Sequence, residues 1–347
     1  MPSLAKAKEE VLIALSARRL IERGWLAALL GYLAKKDELK VRLKYIGNVR
    51  LRRITFELLA LATYYASKCR PELPEELAKV VSHIVKPQEA PFLLTTVLSL
   101  APYVCRLQSL GKKASINMSS DKVSLEVNGV SIAFSLYCVS AHSLIDTFAE
   151  GDYEVPEVLS GLRGRDIIDV GANVGDTALY FLLNGARKVI AVEPLPNVAK
   201  CAEENIRLSS ATDRIKVVNA ALSNEPVSVP CNIDMWSSGY FSTLKGSGPC
   251  KVPGVSLGDL LSMVDDPYLL KMDCEGCEAQ VILGPERERL RAFEHIVFET
   301  HPHITGMGDE KLLASLKELG FKCDRIVHYL KLNQNTYYCK STAPKAA

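Results

Sequence analysis

The sequence predicts a doubly wound α/β sheet with an antiparallel edge strand, preceded by a helical N-terminal domain. Three observations carry this. From Arg165 onward, short β-branched runs alternate with longer amphipathic stretches, the signature of a parallel sheet flanked by helices. A Gly-rich turn joins the first of these runs to the first stretch, and the last two runs follow each other with only LNQ between them. Residues 1 to about 108 instead carry apolar residues at helical spacing, punctuated by prolines.

In the first segment Leu12, Leu15, Leu20, Leu29, Leu30 and Leu33 are interleaved with charges, and ITFELLALATYYASK and PEELAKVVSHIV continue the pattern between Pro71, Pro74, Pro87 and Pro91. Residues 1–53 hold 13 Lys plus Arg against 5 Asp plus Glu, in a chain whose net charge is +2, and they end in the basic run KVRLKYIGNVRLRR. That asymmetry fits a solvated face of an accessory domain, and it leaves open a contact surface for nucleic acid, an acidic lipid surface or an acidic partner. No aromatic ladder or RNA-binding signature accompanies it. The uncharged apolar run Ala90–Cys105 is 16 residues long and contains Pro91 and Pro102, so it reads as buried helix and no membrane span is expected. Glu9 and Glu10 precede the apolar VLIALSA with no small-residue cleavage site after it, so the expected location is cytoplasmic. KVSLEV and VSIAFSLY flank Asn128-Gly129, a two-residue hairpin turn expected to lead into the second domain, which gives domains of residues 1–108 and 109–347.

In that second domain the expected order is IIDV, a helix at 176–184, KVIAVE, a helix at 197–208, IKVVNAAL, YLLKMD, a helix at about 278–292, HIVFET, a helix at 309–319, then KCDRIVHYL and NTYYCK. The first strand, Ile167, Ile168 and Val170, runs into Gly171 and Gly175, where backbone approaches a ligand closely. Asp176 and Thr177 open a helix whose free N–H groups attract an anion. Glu193 ends the second strand, where a carboxylate can accept from both hydroxyls of a ribose. The turn lacks G-x-G-x-x-G and the P-loop pattern, which argues against a dinucleotide or a nucleoside triphosphate. A ribose joined to a small carboxylate remains, the description of S-adenosylmethionine.

Three further groups end strands, where ligands bind in open α/β sheets. Asn219, Ala220 and Ala221 offer an amide and small side chains near an adenine edge. Asp273 and Glu275 stand beside Gly276 in LKMDCEGCE, and Glu299, His301 and His303 follow the next strand in VFETHPH. His301 is the expected general base, with a pKa naturally near working pH. The ten cysteines are scattered, and Cys274-x-x-Cys277 lacks the second pair of a zinc ribbon, so they read as small buried thiols, with disulfides if the source is a hyperthermophile.

DVGANVGDTALYF, VIAVEPLP with its helix ending in ENI, LKMDCEGCEAQVILG and VFETHP together resemble the successive motifs of the FkbM family of S-adenosylmethionine-dependent methyltransferases, over roughly Asp152 to Leu330. The resemblance implies a class I methyltransferase (Rossmann-like) fold and O-methylation of a hydroxyl of a sugar, glycolipid or glycosylated metabolite. It implies that Asp169, Gly171, Asn173 and Gly175 line the methionine end of the cofactor, that Glu193 holds the ribose, and that Asp273 and Glu275 face the acceptor. The second Cys of DCEGCE and the basic N-terminal domain depart from the family pattern. His301 would then remove the acceptor proton while the carboxylates orient the hydroxyl. No metal is expected, since hard-cation sites usually show more carboxylates. The Ser- and Gly-rich loop from Trp236 to Pro253 is expected to shape the acceptor pocket. Two alternatives stand beside this: a ribose methyltransferase that holds RNA through the basic segment, and an inactive scaffold that kept the cofactor pocket.

Overall fold

The computed structural model describes residues 13, 15–233, 242–244, 248–329 and 334–342, in two compact units, Met1–Gly151 and Asp152–Ala347. The boundary thus falls at Gly151, not near residue 108.

The first unit is not purely helical. β1 (Ile21–Arg23), β2 (Glu38–Leu43) and β3 (Gly47–Arg52) form an antiparallel sheet in that order. The basic run expected to end a helical segment is the β2–β3 hairpin: Leu39, Val41, Leu43, Val49 and Leu51 are buried, and Lys40, Arg42, Arg50 and Arg52 alternate with them on the exposed side. Period-two burial explains the mistake, because leucines interleaved with charges satisfy a helical and a strand pattern equally well over so short a run. Helices Arg53–Cys69, Leu73–Val81 and Ala90–Ser109 follow. The last has the length and composition to cross a membrane, yet 83% of its apolar window is buried inside the protein, and Leu93, Leu94, Val97 and Leu98 are fully enclosed. A sheet of β4 (Ala114–Met118), β5 (Lys122–Val127) and β6 (Val130–Ser135) completes this unit. Its β5–β6 turn is the expected Asn128-Gly129, with φ of 50° and 85°, closed by the Val127–Val130 pair. β4 was not anticipated, and the hairpin belongs to the first unit, not the second.

The second unit is built on a seven-stranded sheet. β7 (Asp166–Val170), β8 (Lys188–Val192) and β9 (Ile215–Val218) are parallel; then come the short β10 (Ala221–Leu222), β11 (Val227–Val229), β12 (Cys250–Val252) and β13 (Gly254–Val255), which pair β10 with β13 and β11 with β12. β14 (Pro267–Met272), β15 (His295–Glu299), β16 (Phe321–Tyr329) and β17 (Gln334–Ser341) finish the sheet, in the order β16-β17-β15-β14-β7-β8-β9. The final pair is the expected antiparallel edge, with β17 inserted between β15 and β16 and antiparallel to both. Helices Asp176–Leu183, Pro196–Leu208 and Asp309–Glu318 fall where expected. The helix expected over 278–292 stops at Leu283, where extended Gly284 precedes Pro285, and resumes as a 3-10 turn, Arg287–Ala292. Ile168, Val170, Ile190, Leu270, Met272, Ile296 and Phe298 knit the parallel strands into one core.

No cysteine is free among the described residues, which overturns the buried-thiol expectation. Cys69–Cys105, Cys231–Cys250, Cys274–Cys277 and Cys323–Cys339 are disulfides. Pairing on this scale belongs to oxidising compartments or to intracellular proteins of hyperthermophiles, so a cytoplasmic location goes with the second kind of source.

Candidate active site

Register places the strand ends in one row: Val170 pairs with both Val192 and Met272, Val192 with Val218, and Met272 with Phe298. The segments that follow, starting at Gly171, Glu193, Asn219, Asp273 and Thr300, therefore emerge at the same edge. The chain leaves β7 toward β8 and β9 and returns to β14 on β7's other side, so the crevice between β7 and β14 is the topological switch point, where open α/β sheets bind ligands.

On the β7 side, Gly171, Asn173 and Gly175 all have left-handed φ, of 75°, 46° and 81°. Gly171 has no alternative residue: a Cβ there would lie 1.8 Å from the Asp273 carbonyl oxygen, so the two strand-end loops touch backbone to backbone. Gly175, which has no side chain to offer, stands at the N-cap of the helix Asp176–Leu183. The Asn173 N–H donates to Glu193 Oε2 at 3.0 Å and the Leu195 N–H to Oε1 at 2.9 Å. Burial pushes the Glu193 carboxyl up to about 7 despite those two donors. Each of its oxygens has a second lone pair, so the carboxylate can still accept from a diol. Asn219 spends its amide on the Glu193 and Pro194 carbonyls, at 2.8 and 3.1 Å, and so braces the β8 end; Ala220 is packed into the core.

Asp169 is placed differently from the expectation. Its side chain is fully buried, accepts from the Thr177 hydroxyl at 2.6 Å and pairs with Lys271 Nζ at 3.1 Å, so it braces the turn from beneath. Lys271 also donates to the Gly171 carbonyl at 2.8 Å. Burial opposes its charge, but Asp169, Asp273 and Asp176 outweigh burial and raise its pKa. Sequence reasoning missed Lys271, although a lysine interrupting YLLKM in a strand buried on both faces was the available signal.

On the β14 side, Asp273, Glu275 and His301 come together as expected. His301 Nε2 lies 3.7 Å from Asp273 Oδ1, 3.5 Å from Glu275 Oε2 and 3.6 Å from Glu299 Oε1, while Nδ1 lies 3.4 Å from Glu278 Oε1. Glu275 and Gly276 are both left-handed, with φ of 55° and 114°, a costly conformation for Glu of the kind found at functional sites. The loop is held by the Cys274–Cys277 disulfide and by Glu278, which accepts the Cys274 and Gly276 N–H groups at 2.7 and 2.9 Å. The Tyr153 hydroxyl donates to Asp273 Oδ2 at 2.9 Å. Neither Tyr153 nor Glu278 stood out in the sequence, since their roles come from tertiary contact. Burial favours a neutral His301, but Glu278, Glu275 and Asp273 win and push its pKa up to about 10. The ring is then an imidazolium near neutral pH and not the proton acceptor assumed from an unperturbed histidine. Half of the 236–253 loop, residues 236–241 and 245–247, lies outside the described residues.

The strand order, the switch-point turn and the row of strand-end side chains define the class I methyltransferase fold. Residues 169–323 match the family model described as the methyltransferase FkbM domain. The chain is similar to protein arginine N-methyltransferase PRMT10 of Oryza sativa subsp. japonica, at 37% identity over 23% of this chain and 21% of that protein, so it spans about a fifth of that relative's length. Similarity to methyltransferase sdnD of Sordaria araneosa is 24% identity over 42% of this chain and 72% of that protein. Among solved structures, precorrin-6y C5,15-methyltransferase from Geobacter metallireducens GS-15 aligns at 14% identity and a TM-score of 0.34, over 57% of this chain and 90% of that one.

Proposed function

We propose that this protein is an S-adenosylmethionine-dependent O-methyltransferase that methylates a hydroxyl of a sugar, glycolipid or glycosylated metabolite. The observation that carries it is the direct abutment of the two loops at the switch point: the Gly171 turn, leading through Gly175 into a helix start, beside the Asp273–Glu275 carboxylates. The residues present fit the cofactor, because a turn too tight for any Cβ at Gly171 leads into N–H groups suited to a carboxylate, and Glu193 retains acceptor capacity toward a diol.

When bound, S-adenosylmethionine supplies a sulfonium methyl group and leaves as a neutral thioether. The protein then has to hold the ribose at Glu193, align an acceptor oxygen at the β14 side and take its proton. Asp273 and Glu275 carry the last two tasks, and the charged His301 ring keeps their oxygens turned into the site. Asp273→Asn is expected to slow transfer by about 10²–10⁴-fold, the range for loss of a group that positions the acceptor or handles its proton, with cofactor affinity within about threefold of the unmodified protein. The check is methyl transfer from labelled cofactor into an extract split into RNA and glycan-plus-lipid fractions. Label in the nuclease-resistant fraction, lost with Asp273→Asn, supports the reading; label in nuclease-sensitive RNA overturns it.

The exposed cations of the β2–β3 hairpin favour a docking role over an RNA-reading one. Arg42 pairs with Glu22 at 2.8 Å and Arg50 with Glu38 at 3.5 Å, so at least two of that face's cations are paired before any phosphate arrives.

A further inference from the structure

We propose that Asp273, Glu299 and His301 bind one divalent cation of the Mn²⁺ or Mg²⁺ kind, and that the cation receives the acceptor hydroxyl. The role, though not the site, rests on the methyl-transfer reading above.

One ligand atom from each of Asp273, Glu299 and His301 lies within 4.8 Å of the other two. A single imidazole N–H can serve one acceptor, yet three carboxylate oxygens stand at nearly the same distance from Nε2, 3.5–3.7 Å, too far for a hydrogen bond. Neither ring nitrogen completes a hydrogen bond, although the His301 side chain is 0% exposed. A buried ring with unsatisfied nitrogens costs free energy unless something else occupies the space it faces. A cation with bonds of about 2.0–2.2 Å holds its ligand atoms about 3–3.5 Å apart, close to the spacing observed.

Charge points the same way. Asp273, Glu275, Glu278 and Glu299 surround one imidazole, with side-chain exposures of 30%, 13%, 2% and 14%. A divalent ion bound at Nε2 takes the place of that nitrogen's proton, so His301 becomes a neutral ligand and the carboxylates gain a doubly charged neighbour in place of a singly charged ring. The outer contacts fit as well: Glu278, fixed by two backbone N–H groups, faces Nδ1, and Tyr153 engages Asp273 Oδ2 so that Oδ1 is turned inward. A carboxylate behind a ligating histidine is the usual support of a metal site. The two carboxylate ligands suit Mg²⁺ or Mn²⁺.

A cation here lowers the pKa of a bound hydroxyl. The proton passes to Glu275, the acceptor oxygen forms its bond to the methyl carbon, and the carbon–sulfur bond breaks with its electron pair going to sulfur. The acceptor class that exploits this best is a vicinal diol, whose second oxygen completes a chelate.

The test uses the full chain, treated with chelator and titrated with Mn²⁺ alone, followed by electron paramagnetic resonance with pulsed detection of nitrogen coupling. Expected are one Mn²⁺ per chain, coupling to one histidine nitrogen, and affinity weakened at least tenfold by Asp273→Asn or Glu299→Gln and about 10–100-fold by Glu278→Gln. Bound Mn²⁺ without nitrogen coupling, or equal affinity in the variants, overturns the inference, and the coupling measurement needs no variant to fold. S-adenosylhomocysteine binding is measured alongside. Failure of that ligand to bind sinks the methyltransferase reading and leaves the Mn²⁺ result standing; its binding without a Mn²⁺ site sinks the metal inference alone.

Discussion

Lys271→Met tests whether the cofactor turn is supported from beneath by a buried ion pair. Lys271 and Asp169 side chains are 1% and 0% exposed and 3.1 Å apart, so the substitution strands a carboxylate whose remaining hydrogen bond comes from the Thr177 hydroxyl. Removing one partner of such a pair costs about 3–5 kcal/mol, well above the worth of a surface pair. In a unit of this size each kcal/mol lowers the melting temperature by about 2–4 °C, which gives a fall of about 6–20 °C. Met fills much of the volume, so packing loss adds little. The Gly171 carbonyl loses its 2.8 Å donor too, and cofactor affinity should drop at least tenfold. Asp169→Asn added to Lys271→Met removes the stranded charge and should restore stability to within about 2 kcal/mol of the original, since neutral replacement of a buried pair is often nearly neutral. Urea unfolding followed by circular dichroism reads both. A single variant within 1 kcal/mol of the original, or a double variant no better than the single, refutes the argument.

Gly171→Ala should lose cofactor binding more than about 100-fold, because the added methyl meets the Asp273 carbonyl and the residue must also hold a φ of 75°; calorimetric titration with S-adenosylhomocysteine checks it. Glu193 titrates near 7 in the folded chain against 4.5 for the ordinary carboxyl, so the folded state holds an extra proton between those values. The stability it contributes is complete below pH 4.5 and is lost as pH rises to 7, by up to about 3 kcal/mol. Unfolding curves of the original and Glu193→Gln proteins should diverge by that amount across pH 4.5–7, and parallel curves would contradict it. Cys323 and Cys339 face each other across β16 and β17, 16 residues apart in sequence, and replacing both with Ala should cost about 2–4 kcal/mol in urea titration; an unchanged midpoint would show that the bridge constrains nothing.

The candidate site was legible because its parts are contiguous in sequence. Gly171 to Thr177, Glu193 and Asp273 to Glu275 each follow directly on an apolar strand, and a parallel sheet brings such ends to one edge whatever the intervening helices do. What sequence periodicity does not encode is which buried groups become partners. Lys271 reads as one more strand residue, and only the packing of β14 against β7 places it beneath Asp169. Tyr153 is 120 residues from the aspartate it contacts. The role foreseen for His301 failed on the same ground: its ordinary pKa is a property of the residue, whereas four surrounding carboxylates are a property of the fold. The β2–β3 hairpin was misread for a local reason, because KYIGN lacks the Asn-Gly signal that made the β5–β6 turn recognisable. Cysteine spacing carried no information about pairing.

The position of the bound cofactor is the most direct test of the methyl-transfer site. A crystal structure of the full chain with S-adenosylhomocysteine should place both ribose hydroxyls within hydrogen-bond distance of the Glu193 carboxylate, the amino-acid end over the Gly171–Gly175 turn, and the sulfur facing Asp273 and Glu275. A nucleoside bound away from Glu193, or a sulfur turned from the β14 carboxylates, would contradict it.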